Sequence, residues 1–242
     1  VLASGRAFVI LFAMTKTILI CGYGKGISAG VASRFGAAGF AVGLVARSID
    51  KLAAAVKTLS AAGVRAVPLP CDLGDPAAVT AMVAQARRDL GPVTVLHWNA
   101  YSSTAGDLTT AKIETVRAAL DVGITGCIAA VQAALPDLQM QQGQSAVLFT
   151  GGGLSFYGPR VDALATQWGV MGLAVVKAAQ HKLAGLYAEK LREHGIYVGE
   201  VVVTGIVKGT EFDTGSGTLE PAAIAEKFFG LYTARAPLSV NI

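Results

Sequence analysis

Short runs of β-branched and apolar residues alternate along the chain with longer stretches in which apolar positions recur at helical spacing. The runs Thr17–Cys21, Ala41–Val45, Arg65–Leu69, Val93–Trp98, Ala146–Thr150 and Tyr197–Val203 predict strands. Helices are predicted near Ser28–Ala38, Ile49–Ala62, Pro76–Leu90, Ile113–Leu135 and Met171–His194. Asp75-Pro76 reads as an N-cap followed by proline at the first helical position. Gly63, Gly91 and Gly195 follow predicted helices where a left-handed residue is expected. Repeated strand–helix–strand units with right-handed crossovers put helices on both faces of the sheet. The predicted fold is therefore α/β, a doubly wound parallel sheet in three αβα layers. Ligands of such sheets bind beyond the carboxyl ends of the strands at the switch point, here between the first and fourth strands.

Composition narrows this picture. Of 242 residues, 53% are hydrophobic and 15% charged, against roughly 25% charged in an average soluble domain, which excludes a disordered chain. The length suits one large domain over Met14–Ile242, with Val1–Ala13 as an N-terminal extension. The mean hydropathy of +0.54 is high. A membrane span needs about 20 apolar residues in a row, and the longest such run, Ala7–Met14, has eight. The expectation is no membrane, with the apolar content buried on both faces of a parallel sheet or in an interface between copies. The net charge of +4 comes without a block of like charges, so no nucleic-acid partner is expected. Cys21, Cys71 and Cys127 form no CxxC and the three histidines no HExxH. Reduced thiols, a cytoplasmic setting and no bound metal follow as expectations.

The first predicted strand runs into Cys21-Gly22-Tyr23-Gly24-Lys25-Gly26-Ile27-Ser28, which opens a helix. Glycines in such a turn let the backbone approach a phosphate, and the helix N-terminus offers free N–H groups and positive potential. Gly22, Gly24, Lys25, Gly26 and Ile27 are therefore candidate cofactor-binding residues in a Rossmann-like fold. After the second strand, Val45-Ala46-Arg47-Ser48 places no carboxylate where one would hold the ribose 2′-hydroxyl of NAD. Arg47 suits a 2′-phosphate, Lys25 adds a second cation, and Ser48 adjoins them. This predicts NADP(H) in preference to NAD(H).

On these motifs the sequence resembles the short-chain dehydrogenase/reductase family from Thr15 to about Thr210. The family's TGxxxGxG is matched except for Cys21 and Ser28, which replace its Thr and last Gly. The resemblance implies that Asp72, with Leu73, contacts adenine. It maps the family NNAG onto Trp98-Asn99-Ala100-Tyr101, keeping Asn99 and Ala100. Gly205, Val207 and Thr210 would lie over the nicotinamide and diphosphate, with Lys208 and Gly209 in the same cluster.

The family's catalytic apparatus is where the chain departs from that pattern. A carbonyl reduction needs a proton donor beside the hydride, which the family supplies from Tyr-x-x-x-Lys with Ser and Asn. The lysine corresponds to Lys177, but Leu173 stands four residues earlier and Val170 seven earlier. No tyrosine in the chain is followed four residues later by lysine. The family serine maps onto Gly151, after Thr150, and the asparagine onto Gly123; Thr204-Gly205 replaces Pro-Gly. Lys177 either holds the nicotinamide ribose or is a solvated helix lysine. Thr150, Tyr101, Tyr157 and Trp168 are candidates for the vacated space, with Tyr101 read either as a replacement acid or as a pocket wall. Tyr157 is either an acid or a loop anchor, and His97 is read as a packed strand residue. The region Leu219–Tyr232 is expected to cover the pocket.

Two functions stay open: an NADPH-dependent reductase of a small carbonyl compound with a degenerate tetrad, or a non-catalytic NADP(H)-binding sensor or structural subunit. The resemblance also implies a homodimer or homotetramer. Leu173, Val176, Leu183 and Leu186 are its interface candidates, or else they pack on the sheet.

Overall fold

The computed structural model describes residues 16–242; the expected extension Val1–Ala13 and the start at Met14 lie outside the described residues. Seven strands form one parallel sheet in the order β3-β2-β1-β4-β5-β6-β7. They are β1 (Thr17–Cys21), β2 (Ala41–Ala46), β3 (Ala66–Pro70), β4 (Val93–Trp98), β5 (Ala146–Gly152), β6 (Tyr197–Val203) and β7 (Ser239–Asn241). The helices are α1 (Ile27–Ala37), α2 (Ile49–Ala61), α3 (Pro76–Leu90), α4 (Ile113–Leu120), α5 (Gly126–Met140), α6 (Pro159–Gln167), α7 (Met171–Leu191) and α8 (Pro221–Ala234). The order reverses between β1 and β4, as the sequence predicts.

Alternation along the strands divides the core in two. Leu19, Leu96, Val147 and Phe149 face α3, α5 and α7, where Met82, Cys127, Ala134 and Leu138 meet them. Ile18, Ile20, Val42 and Leu148 face α1, α2 and α8, where Phe35, Leu52, Ile224 and Phe228 close the other layer. Each fully buried Leu, Ile or Phe contributes about 1.5–3 kcal/mol. This double burial explains why strands such as Thr17–Cys21 show continuous apolar runs. The caps follow the sequence as well: the Asp75 carboxylate accepts from the N–H groups of Ala77 and Ala78 ahead of Pro76, and the Ser48 hydroxyl accepts from Lys51 N.

The structure departs from the expected elements in four places. The α5 helix runs through Pro136 to Met140, and Arg87 donates beside it to the Ala133 carbonyl and to the buried Asp137 carboxylate. Between α4 and α5, residues Asp121–Thr125 wind as a π turn, which makes Ile113–Met140 one continuous helical run. Its length and hydropathy of 1.7 would suffice to cross a membrane, but Cys127, Ala130, Val131, Ala134 and Leu138 bury one face against the sheet. A short helix, α6, occupies the long connection before α7. Residues Pro221–Ala234, expected over the pocket, instead form α8, whose Ile224, Phe228, Leu231 and Tyr232 are buried in the second core.

Candidate functional site

A cleft of about 1890 Å³ opens beyond the carboxyl ends of β1, β4, β5 and β6. Its nucleotide half is built by the loop between β1 and α1. Gly22 has φ +90, and a Cβ there would lie 2.6 Å from the Ala100 backbone, so only glycine fits. The Asn99 side-chain amide donates to the Gly22 carbonyl at 2.9 Å and ties the end of β4 to this loop. Ser28, where the family pattern has glycine, closes the loop from within: its hydroxyl accepts from Gly24 N at 2.8 Å and donates to Gly24 O at 3.2 Å. The Gly24 amide is therefore already engaged.

Lys25, Gly26, Ile27 and Arg47 line the same half of the cleft. Ser48 lies outside the lining, its hydroxyl committed to the start of α2, whereas Lys51, which the sequence reading missed, brings a third cation to the cleft. The missed signal was spacing, since Lys51 stands at the third position of a capped helix. Asp72 and Leu73 border the cleft, and the Asp72 carboxylate accepts from Gly74 N at 2.9 Å.

Lys177 sits at the centre of the other half, 6% exposed. Its ammonium donates to the Thr150 carbonyl at 2.7 Å and to Gln180 Oε1 at 2.9 Å, which leaves its third proton for the cleft. Burial pulls its pKa down to about 8, while the Glu200 carboxylate acts in the opposite direction. These contacts rule out the reading of Lys177 as a solvated helix lysine. Gln180 also donates to the carbonyls of Ala100 and Gly123. One side chain thus joins β4, the π turn and the lysine, and its place three residues after Lys177 puts both on one face of α7.

The other candidates separate. Thr150 turns its hydroxyl to His97 Nε2 at 3.0 Å, so its carbonyl rather than its hydroxyl meets Lys177. His97 is fully buried against Phe228 and its pKa is pulled down to about 3, first by burial and then by Lys177, so it is a neutral packed strand residue. Tyr157 is 97% exposed and turns away from the cleft, while its neighbour Phe156 lines it. Tyr101 does face the cleft: its ring lies 5.3 Å from the Lys177 ammonium and its hydroxyl donates to Glu211 Oε1 at 2.9 Å. Burial raises the Tyr101 pKa and the Glu211 contact raises it further, so this phenol holds its proton firmly.

The loop carrying Glu211 is pre-shaped, because the Asp213 carboxylate accepts from the N–H groups of Gly209, Gly215 and Gly217. Gly205, Val207 and Thr210 from this segment border the cleft as expected. Trp168 lines it too, from the end of α6.

At the three residues that the resemblance maps onto the family's tyrosine, asparagine and serine, neighbouring atoms stand close. Leu173 packs with Ala165 and Val170. A Cβ on Gly123 would lie 2.2 Å from Val176 Cγ1, and one on Gly151 would lie 2.5 Å from Glu200 Oε1.

The family model for short chain dehydrogenases matches residues 16–218. This chain belongs to the short-chain dehydrogenase family. A short chain dehydrogenase of Pseudocercospora fijiensis is 35% identical over 81 residues, 34% of this chain and 26% of that protein. The chain thus matches about a quarter of that relative's length. Ketoacyl reductase HetN of a Nostoc species is 23% identical over 221 residues, covering 91% of this chain and 72% of that protein. Among solved structures, a blue fluorescent protein from a metagenomic library, in complex with NADPH, superposes with a TM-score of 0.80 at 25% identity, covering 94% and 96% of the two chains. As a member of the short-chain dehydrogenase family, the chain has the parallel α/β fold, and Lys177 stands buried at its cleft.

Among the described residues, no group of three or more His, Cys, Asp or Glu side chains is placed to hold a metal. All three cysteines are unpaired and buried. Of the expected interface residues, Leu173 and Val176 are buried within the chain, whereas Leu186 is 55% exposed.

Proposed function

We propose that this chain is an NADP(H)-dependent oxidoreductase that reduces the carbonyl group of an apolar substrate. The observation that carries the reading is the coexistence of a glycine-lined nucleotide cradle with a buried, cleft-facing lysine. The cradle fits the cofactor: Gly22 admits close approach, and Lys25, Arg47 and Lys51 line the cleft and can supply the positive charge that a 2′-phosphate needs. When bound, the dihydronicotinamide supplies the hydride. Lys177 would hold the nicotinamide ribose with its remaining proton, Asn99 fixes the glycine loop, and Asp72 borders the adenine side.

Leu154, Phe156, Val161, Leu164, Trp168 and Leu173, with Arg160 among them, give this part of the cleft a mainly apolar lining, which favours a carbonyl compound with a hydrocarbon chain or ring. That one relative is a ketoacyl reductase supports an acyl chain. The buried free thiols suit a reducing, cytoplasmic setting, and exposed Leu186 suits a homo-oligomer.

A second reading, a non-catalytic NADP(H)-binding sensor or structural subunit, is favoured by Val176 and Leu173 filling the asparagine and tyrosine positions. Fluorescence titration with NADPH tests both. Wild type binds, and Arg47→Ala weakens NADPH by roughly 10- to 100-fold, as expected for losing a charge-assisted contact of about 1.5–3 kcal/mol, while NADH binding changes little. Equal losses for the two nucleotides refute the 2′-phosphate assignment. Deuteride transfer from 4-deuterated NADPH to apolar aldehydes and ketones, followed by mass spectrometry, separates the readings: labelled alcohol supports the reductase and its absence the sensor.

A further inference from the structure

The loss of the family's serine and tyrosine leaves open which group handles the proton, and one buried carboxylate stands at the vacated place. Glu200 lies on β6, 1% exposed. Its Oε2 is held by His181 Nδ1 at 2.6 Å and by the Ser239 hydroxyl at 3.1 Å. Its Oε1 has no hydrogen-bond partner. A buried carboxylate oxygen without a partner is costly, and this one points at the missing Cβ of Gly151, a residue of the cleft wall. His181 is the outward end of the arrangement. Its side chain is 39% exposed, it stands one turn after Lys177 on α7, and its ring packs edge-on against Phe156 at the cleft margin. Glu200 does not itself line the cleft, but Gly151, against which its Oε1 lies, does, so His181, Glu200 and Gly151 run from the exposed side of α7 to the cleft wall.

We propose that Glu200 is the proton-handling residue of this site, delivering from β6 what the family delivers from β5 and α7, with His181 as its connection to solvent. The proposal rests on the reductase reading above. In the step, the carbonyl carbon gains a hydride and its π electrons move to oxygen. The Glu200 carboxylate takes up a proton from solvent through His181 and passes it to that oxygen through one water in the gap beside Gly151, which restores the carboxylate. The substrate is reduced by two electrons, the dinucleotide is oxidised by two, and no further reactant is required. Gly151 is part of the design, since a side chain there would collide with Oε1 and cut the path.

Two measurements test this. In protein labelled at the glutamate carboxyl carbons and saturated with NADPH, addition of 2-octanone shifts the Glu200 resonance, which is identified by its loss in Glu200→Gln. If cleft-lining signals respond to the ketone while Glu200 does not, the proposal is overturned. If neither NADPH nor 2-octanone binds, the reductase reading itself fails and takes this proposal with it.

The second measurement is single-turnover deuteride transfer to the best acceptor. Glu200→Gln slows it by about 100-fold or more in protein saturated with NADPH, and formate restores part of the rate to Glu200→Ala. A Glu200→Gln rate close to wild type overturns the proposal, as does a loss in Glu200→Ala that formate leaves unchanged. If wild type binds NADPH yet transfers no deuteride to any acceptor, the sensor reading stands and Glu200 has no proton to deliver.

Discussion

The two halves of the cleft obey different rules. The nucleotide half, at the ends of β1, β2 and β3, is made of backbone and of side chains close together in sequence, from Gly22 to Ile27 and at Arg47, Lys51 and Asp72. The half around Lys177 is made of side chains that arrive from far apart: Gln180 from α7, Glu200 from β6, Tyr101 from the loop after β4, and Glu211 from the loop after β6. A locally encoded site constrains the residue types within a short window. A site assembled at long range can exchange one member for another, provided the vacated volume is refilled. Leu173, Gly123 and Gly151 each have neighbours packed close around them.

The largest effect that would break this contrast is expected at Gly22. Gly22→Val places a branched side chain at φ +90 against the Ala100 backbone, abolishing NADPH binding and costing several kcal/mol, with about 1–3 kcal/mol from the backbone conformation alone. Thermal unfolding and fluorescence titration read both. A variant that binds NADPH normally would show that the loop is not the cradle.

The next effect concerns Lys177 and pH. Because burial disfavours its ammonium in the folded protein, with a pKa of about 8, the unfolded chain holds that proton more tightly between about pH 8 and the ordinary lysine value. Stability attributable to Lys177 therefore rises with pH through that window and levels off above it. Lys177→Met lacks this rise. Denaturant midpoints at pH 7.5 and pH 10 reveal it as a difference between the two proteins, and identical slopes would place the lysine in a wetter site. Nucleotide binding moves the opposite way, since the ammonium that would hold the ribose is lost above about pH 8.

The smallest effect sharpens the comparison from the other side. Gly123→Asn, the side chain that the resemblance expects there, collides with Val176 and costs about 1–3 kcal/mol by overpacking. NADPH affinity stays within about threefold, and Val176→Ala in the same chain recovers part of the stability. A Gly123→Asn variant as stable as wild type would mean that the space beside Gly123 is open.

The same contrast explains what could be read from the sequence. Strands β1, β4 and β6 carry their bounds in their apolar runs, and the glycine loop, Arg47, Asp72 and Lys177 are legible because each follows a strand end or sits at a fixed interval. The shorter elements were not legible. The α6 helix has a single buried residue, Ala165, and the three-residue β7 is recognisable only by its pairing with β6. The predicted helix stops at Leu135, one residue before Pro136, whereas α5 continues to Met140. Glu200 in Tyr197–Val203 gave no functional signal, since an acidic residue inside a strand reads as an edge or a defect until His181 and Gly151 are seen beside it.

The π turn at Asp121–Thr125 has an evolutionary consequence. A π turn holds one residue more than the α ladder requires, so a single deletion within it would let α4 and α5 fuse into one regular helix with the outer ends still facing their present neighbours. The casualty would be the Gly123 carbonyl that Gln180 now reaches. The surplus residue works as a detachable spacer, and its loss would leave the scaffold standing while uncoupling the lysine's support from the helix.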